Sequence, residues 1–152
     1  LTPNGAKVIE YNCRFGDPET QVVLPLLETD IMDIIEAVRE EKLDTLDIKW
    51  SDKSCACVVM ASGGYPEKYE TGKVISGLDE NGQCEGAFVY HAGTKLEDGK
   101  FLTAGGRVLG ITAYGDTLKE ALDTAYKAVD TISFEKAHYR HDIGKKALSA
   151  LK

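Results

Sequence analysis

The stretch that decides the fold reads Arg107-Val108-Leu109-Gly110-Ile111-Thr112-Ala113-Tyr114, followed by Gly115-Asp116-Thr117-Leu118-Lys119-Glu120. Its first part is apolar and predicts a β-strand over 107–114. Thr117 with Glu120 three residues later is a capping-box pattern, which predicts a helix that runs to about Ile132. The apolar residues of this helix share one face, so we expect the helix to pack on the sheet. They are Leu118, Ala121, Leu122, Ala125 and Val129.

Upstream of this stretch, short strand patterns alternate with turn signals. The patterns predict strands over 54–61, 73–76, 86–92 and 100–103. Glu97-Asp98-Gly99 predicts the hairpin turn that leads into the last of these strands. Several short strands joined by turns indicate an antiparallel sheet, and with covering helices the expected fold class is α+β.

Length and charge limit the classes of function. The 152 residues suffice for one ordinary domain, or for a small domain with part of another. No apolar run is long enough to span a bilayer, so we expect no membrane partner. The net charge of −7 and the scattered Lys and Arg residues argue against nucleic acid as a partner. A small polar substrate is compatible with this charge.

The cysteines and histidines show no spacing typical of a zinc site. Cys55 and Cys57 share one strand face and are expected to be small buried hydrophobic residues. Reduced thiols of this kind predict a cytoplasmic protein. His138 and His141 lie three residues apart without an obvious third ligand, which favours solvated side chains over a metal site.

Near the start of the chain, apolar and polar residues alternate and predict a strand over 6–15. We expect the apolar face to lie in the core; it consists of Ile9, Tyr11, Cys13 and Phe15. The opposite face carries a carboxylate, an amide and a guanidinium, which belong to Glu10, Asn12 and Arg14. These are groups that bind metals and anions.

Two helices are predicted after this strand. Asp17 should cap the first helix with Pro18 at its first helical position, and Pro25 should break or kink it. The second should run from Thr29-Asp30 to about Lys42. Its apolar face consists of Ile31, Ile34, Ile35 and Val38. A last helix is predicted over 144–151.

The first residues suggest that the chain belongs to a longer protein. It begins Leu1-Thr2-Pro3, without an initiator Met. Thr2-Pro3-Asn4-Gly5 has the composition of a tight turn, yet no strand precedes it to complete a hairpin with the strand over 6–15. We therefore expect that strand to belong to a larger sheet.

Glu10 and Asn12 point the same way on the predicted strand, about 6.6 Å apart, and both offer hard oxygen ligands. Oxygen ligands without His or Cys favour Mg²⁺ or Mn²⁺, and Mg²⁺ typically binds one or two carboxylates together with substrate phosphates. A nucleotide substrate is thereby indicated, and Arg14 supplies a planar cation for a phosphate or carboxylate. The alternative is an ion pair of Glu10 with Arg14 on the surface of an edge strand.

These residues carry a resemblance to a known family. Glu-x-Asn-x-Arg-Phe-Gly-Asp-Pro-Glu-Thr-Gln, Glu10 to Gln21, resembles the last strand of the ATP-grasp fold in the phosphoribosylamine-glycine ligase family. Six further motifs are similar to the C-terminal domain of that family. They are Gly63-Gly64-Tyr65-Pro66, Tyr69-x-Thr71-Gly72, Val74-Ile75-x-Gly77-Leu78, Phe88-x-x-His91-Ala92-Gly93-Thr94-Lys95, Gly105-Gly106-Arg107-Val108-Leu109 and Arg140-x-Asp142-Ile143-Gly144.

The resemblance covers essentially the whole chain and implies two units. Residues 1–43 would be the end of an ATP-grasp domain, including its last strand and helices, and residues 44–152 the small C-terminal domain. The family joins glycine to phosphoribosylamine in purine synthesis, with ATP as co-substrate and glycyl phosphate as intermediate. Lysines and an adenine pocket for ATP would lie in a missing N-terminal part of the same protein, so we expect the chain alone to be inactive.

Carried onto this sequence, the resemblance assigns roles to individual residues. Glu10 and Asn12 would ligate Mg²⁺ or Mn²⁺, and Arg14 would act on a phosphate or the glycyl carboxylate as the catalytic cation. Substrate binding would involve Asp17, Glu19, Lys95 and Arg107, the last two at a ribose phosphate. Two alternatives remain: another ATP-grasp ligase or carboxylase, or a C-terminal interaction module without catalysis.

Overall fold

The computed structural model describes residues 3–150. Thr2 of the predicted turn and Leu151 of the predicted last helix lie outside the described residues, as do Leu1 and Lys152. The helices and strands are α1 (Thr20–Val23), α2 (Ile31–Arg39), β1 (Ser54–Ala61), β2 (Phe88–His91), β3 (Thr94–Glu97), β4 (Lys100–Thr103), β5 (Arg107–Gly115), α3 (Leu118–Val129) and α4 (Lys145–Ala150). They confirm the α+β class. Across residues 3–150, no helix is long and apolar enough to cross a bilayer.

The central sheet has three antiparallel strands in the order β1-β5-β2. β1 pairs with β5 from Ser54↔Gly115 to Ala61↔Arg107. Because side chains alternate along a strand, one face of this sheet carries Val58 and Ile111, which are fully buried with residues of α3. Burial of each such side chain stabilises the fold by roughly 1.5–3 kcal/mol. The other face, here called the outer face, carries Cys57, Val59, Gly110 and Thr112.

The capping box predicted at the start of α3 is confirmed. Thr117 Oγ1 accepts a hydrogen bond from the Glu120 backbone N–H at 3.2 Å. Glu120 Oε2 accepts in return from the Thr117 N–H at 3.3 Å. The helix therefore begins at a fixed point relative to β5, and its apolar face meets the sheet as predicted.

The predicted hairpin turn is also confirmed, since β3 and β4 are joined by Asp98 and Gly99 at φ angles of 50° and 71°. Two consecutive positive φ values are what a tight hairpin turn needs, and Gly accepts them at low cost. The strand predicted over 73–76 is wrong. Val74 bridges Leu102 whereas Ser76 bridges Ser133, so this segment contacts two different neighbours and forms no ladder.

The strand predicted over 6–15 is wrong as well. Residues 6–16 adopt neither strand nor helix, and Ile9 and Tyr11 are 96% and 82% exposed. A strand needs a neighbouring strand to pair its backbone N–H and C=O groups, and in the described part of the chain none runs beside residues 6–15. Cys13 is consequently exposed, and its expected place in the core is not observed.

The two helices after this segment are shorter than predicted. α1 begins at Thr20 with Glu19 at the cap position, so the expectation of Asp17 as N-cap and Pro18 as first helical residue is wrong. At Pro25 the helix gives way to a 3₁₀ turn over Leu24–Leu26, as the missing backbone donor of proline predicted. α2 is capped by Asp30, which accepts from the Met32 N–H at 2.8 Å.

The apolar face predicted for α2 is largely exposed. Ile35 and Val38 are 51% and 56% exposed, and Ile31 is 37% exposed. Like residues 6–16, this face has little to pack against in residues 3–150.

Candidate functional site

Residues 16–25 cross the outer face of the sheet, opposite α3. At one end, Arg107 of β5 donates from Nη1 to the Asp17 carbonyl oxygen at 2.9 Å, and its Nη2 lies 3.1 Å from Asp17 Oδ2. At the other end, the Tyr114 hydroxyl donates to the Pro25 carbonyl oxygen at 3.3 Å. Two predicted substrate-binding residues, Asp17 and Arg107, thus meet although 90 positions separate them.

The Asp17–Arg107 ion pair orients the segment more than it stabilises the fold. The two side chains are 50% and 39% exposed. Pairs with this exposure are screened by water and typically contribute less than about 1 kcal/mol. Their value here is geometric, because they fix residues 16–18 over the end of β5.

A cavity lies on each side of this crossing segment. The first is a groove of about 630 Å³ bordered by Phe15, Gly16, Asp17, Tyr90 and His91, among others. This groove opens beside Phe15, at the end of residues 6–15, which carry Glu10, Asn12 and Arg14. The second is a pocket of about 380 Å³ between Pro18, the outer face of the sheet and the loops 62–66 and 138–143.

The predicted metal ligands lie side by side. Asn12 Nδ2 donates to Glu10 Oε1 at 3.3 Å, and both residues are exposed. Rotation of the amide would turn its oxygen towards the same point, so one carboxylate and one amide oxygen can face a single cation. In residues 3–150, no group of three or more His, Cys, Asp or Glu side chains could hold a metal ion. The pair fits a Mg²⁺ that takes its remaining ligands from substrate phosphates and water.

The other predicted residues differ in their surroundings. Arg14 donates from Nη1 to the adjacent Phe15 carbonyl at 3.3 Å, which uses one of its five donors. The Glu19 carboxylate lies over Gly16, where a β-carbon would collide with it. Lys95 pairs with Glu97 on β3 and lines neither cavity beside residues 16–18. The structure therefore unites Arg107 with Asp17 and leaves Lys95 apart.

The thiols on the outer face are held in the protonated form. Burial, with a smaller contribution from neighbouring Cys57, raises the pKa of Cys55 from about 9 to about 11. Burial likewise raises the pKa of Cys57. A protonated thiol is a poor nucleophile. Cys57 is buried, as predicted, and Cys55 is partly buried.

The second cavity is also lined by Arg140, His138 and Tyr65, none of which was predicted as a site residue. Arg140 donates from Nε and Nη2 to the two carboxylate oxygens of Asp142, each at 3.0 Å. These hydrogen bonds lower the pKa of Asp142, so both groups stay charged. The signal was present in two quoted motifs, Arg140-x-Asp142 and Gly63-Gly64-Tyr65-Pro66.

The fold and the site define an α+β domain that gathers cationic side chains at the outer face of its sheet, an arrangement suited to anionic small molecules. The family model described as "Phosphoribosylglycinamide synthetase, C domain" matches residues 55–146. The chain belongs to this family.

Individual relatives agree with the family. The chain is 55% identical over 143 residues to a phosphoribosylamine–glycine ligase of Caldanaerobacter subterraneus subsp. tengcongensis, covering 94% of the chain and 34% of the relative. It is 51% identical over 150 residues to the enzyme of the same name from Synechocystis, covering 97% of the chain and 36% of the relative. The chain thus spans about a third of the length of these relatives.

A solved structure supports the same fold. The crystal structure of phosphoribosylamine–glycine ligase from Thermotoga maritima superimposes with a TM-score of 0.69 at 34% identity. The match covers 89% of this chain and 32% of that one.

Proposed function

We propose that this chain is the C-terminal third of a phosphoribosylamine–glycine ligase of the ATP-grasp class, acting in the cytoplasm in purine biosynthesis. The observation that carries the proposal is the 55% identity over 143 residues to a ligase of that name. In this assignment residues 1–43 complete the ATP-grasp domain and residues 44–152 form the C-terminal domain. The whole enzyme joins glycine and phosphoribosylamine and converts ATP to ADP and phosphate.

The reaction proceeds in two steps. The glycine carboxylate attacks the γ-phosphorus of ATP, which releases ADP and gives glycyl phosphate. The amine of phosphoribosylamine then attacks the glycyl carbonyl carbon, phosphate leaves, and the amine loses a proton. Neither step requires a side-chain nucleophile, which is consistent with the protonated state of Cys55 and Cys57.

Glu10 and Asn12 hold a Mg²⁺ or Mn²⁺ ion in this proposal. When bound, the ion neutralises charge on the ATP phosphates. Arg14, two residues further on, offers its remaining donors to the transferred phosphoryl group or to the glycyl carboxylate. Asp17, Glu19 and Arg107 border the substrate side. Lys95 is retained as a predicted contact, although its ammonium pairs with Glu97.

The experiment uses the full-length protein that contains this chain. ADP release and glycinamide ribonucleotide are measured with glycine or with bicarbonate as acceptor. The double substitution Glu10→Ala with Asn12→Ala is expected to lower kcat by about 10²-fold or more, since each removes a group that stabilises developing charge. Lys119→Gln is the control, because this exposed lysine pairs with Asp123 on α3 and lines neither cavity among residues 3–150.

Three results would contradict the proposal. Turnover with bicarbonate in place of glycine would assign the protein to the carboxylating enzymes. Full activity of the double variant would favour a non-catalytic role for this chain. Formation of glycinamide ribonucleotide by the 152-residue chain alone would show that no other part is needed.

A further inference from the structure

The second cavity, here called the cationic pocket, has an unusual charge for this protein. Its lining includes Arg107, His138 and Arg140 and, within residues 3–150, no Asp or Glu. The chain as a whole has 25 acidic residues against 18 Lys and Arg. A pocket that gathers three basic residues in such a background favours an anion.

The two arginines are held in place by carboxylates that do not line the pocket. Asp17 engages Nη1 and Nη2 of Arg107, through its carbonyl and carboxylate oxygens. Asp142 engages Nε and Nη2 of Arg140. Arg140 Nη1 has no partner within residues 3–150, so the guanidinium is oriented and still has donors to offer. A fork oriented in this way matches the oxygens of a phosphate.

The pocket walls are anchored to the sheet. The backbone of His138 exchanges two hydrogen bonds with Ala61 at the end of β1, at 2.8 and 3.0 Å. Ser62 Oγ donates to the Gly105 carbonyl at 2.8 Å, which fixes the start of the loop 62–66 on the other side of the pocket. A β-carbon on Gly106 would collide with the Tyr65 ring, so glycine there allows Tyr65 to form a wall. Hydrogen bonds and packing within the fold therefore hold the pocket walls in place.

The floor and side walls are uncharged. Cys57, Val59 and Ala61 form the floor, and the rings of Tyr65 and Tyr139 stand beside it. Burial raises the pKa of Cys57, which keeps the floor neutral. At about 380 Å³ the pocket is at the small end of the range for small-molecule sites. It suits a single phosphate on a small sugar better than a whole nucleotide.

We propose that the cationic pocket binds the phosphate group of the sugar-phosphate co-substrate, with Arg140 as its main ligand and Arg107 and His138 beside it. This inference rests on the proposed ligase function; the family resemblance already implies Arg107 at a ribose phosphate, and the pocket adds Arg140 and His138 to it. Asp142 acts as a positioning residue for Arg140. ATP and glycine then lie on the other side of residues 16–18, towards Glu10 and Arg14.

The first test is binding of ribose 5-phosphate, with ribose as the neutral comparison, to the full-length protein by titration calorimetry. Arg140→Gln should weaken ribose 5-phosphate binding about 10-fold or more, the loss typical of one charge-assisted hydrogen bond, and leave any binding of ribose unchanged. Arg140→Lys keeps the positive charge but lacks the planar pair of guanidinium donors, so it should recover part of the affinity. Lys119→Gln, an exposed cation on α3, should change nothing.

The second test is steady-state kinetics of the same variants. Arg140→Gln should raise KM for phosphoribosylamine about 10-fold or more and leave KM for ATP and for glycine unchanged. Because the Arg140 side chain is 73% exposed, the variant should keep the wild-type melting temperature. Equal KM values for phosphoribosylamine in wild type and variant, or equal ribose 5-phosphate affinities, would overturn the pocket assignment.

The two proposals fail in different ways. If the protein forms no glycinamide ribonucleotide but binds ribose 5-phosphate through Arg140, the pocket stands and the ligase function falls. If the ligase works and Arg140→Gln is indistinguishable from wild type, the function stands and the pocket falls.

Discussion

Two regions that the sequence predicts as strands have different structures. In β1, Val58 is fully buried, and every residue pairs across to β5. In residues 6–16, Ile9 is 96% exposed and no strand forms. The contrast shows that an apolar or alternating sequence indicates a possible strand, whereas a neighbouring backbone decides whether the strand forms. β1 has that neighbour within the chain, and residues 6–15 have none among the described residues.

The sharpest test of this contrast compares two substitutions in the 152-residue chain. Leu109→Ala in β5 should lower the free energy of unfolding by about 2–5 kcal/mol, because it leaves a cavity in the core. Ile9→Ala should change it by less than about 0.5 kcal/mol, as expected for an exposed side chain. Urea denaturation measures both. Equal losses would mean that residues 6–16 are packed in solution.

Thiol labelling probes the same contrast through rates. Cys13 is exposed and Cys57 is buried, so a water-soluble alkylating reagent should modify Cys13 at least about 10-fold faster at pH 8. Peptide mass spectrometry gives the two rates. In the full-length protein we expect Cys13 to become protected as residues 6–15 gain their neighbouring strand. Fast labelling of Cys13 there would remove the support for that strand.

The helix caps provide a smaller effect. Thr117→Ala removes the cap of a helix in the core and should lower global stability by about 1 kcal/mol. Asp30→Ala removes a comparable cap from α2, whose apolar face is largely exposed. It should accelerate amide exchange within α2 and leave the global unfolding midpoint nearly unchanged. A global loss as large as that of Thr117→Ala would show that α2 is part of the core.

The last test concerns pH. Because the pKa of Cys55 is raised from about 9 to about 11, the folded state favours the protonated thiol. Its contribution to stability is complete below pH 9 and is lost as the pH rises towards 11. Cys55→Ala should therefore show a flatter decline in unfolding free energy between pH 9 and pH 11 than wild type. Parallel curves would refute the shift.

Much of the domain was predictable because its determinants are local. Thr117 and Glu120 are three residues apart, and Asp98-Gly99 is a single turn, so both features were read from the sequence and confirmed. The strand over 6–15 failed because its determinant is a neighbour beyond that segment. Helix starts such as Thr20 shifted by two residues from the predicted Pro18, as backbone hydrogen bonds took precedence over cap propensity.

The candidate site was predictable only in part. The sequence pattern selected Glu10 and Asn12 because they are close in sequence, whereas Arg107 was assigned by the family resemblance. The cationic pocket joins residues that are far apart along the chain: Pro18, Tyr65, Arg107 and Arg140. Only the fold brings these together. The roles assigned to the site residues remain predictions.

The backbone pairing of His138 with Ala61 lies at an edge of the central sheet. β1 and β2 are the edge strands of the central sheet. Exposed edges invite strand-to-strand association between molecules, and short edge strands limit it. β2 has only four residues, and His138 pairs with Ala61, the last residue of β1. The contact that shapes the pocket thus also shields part of an edge, and a substitution that frees residue 138 is expected to make the protein more prone to aggregate.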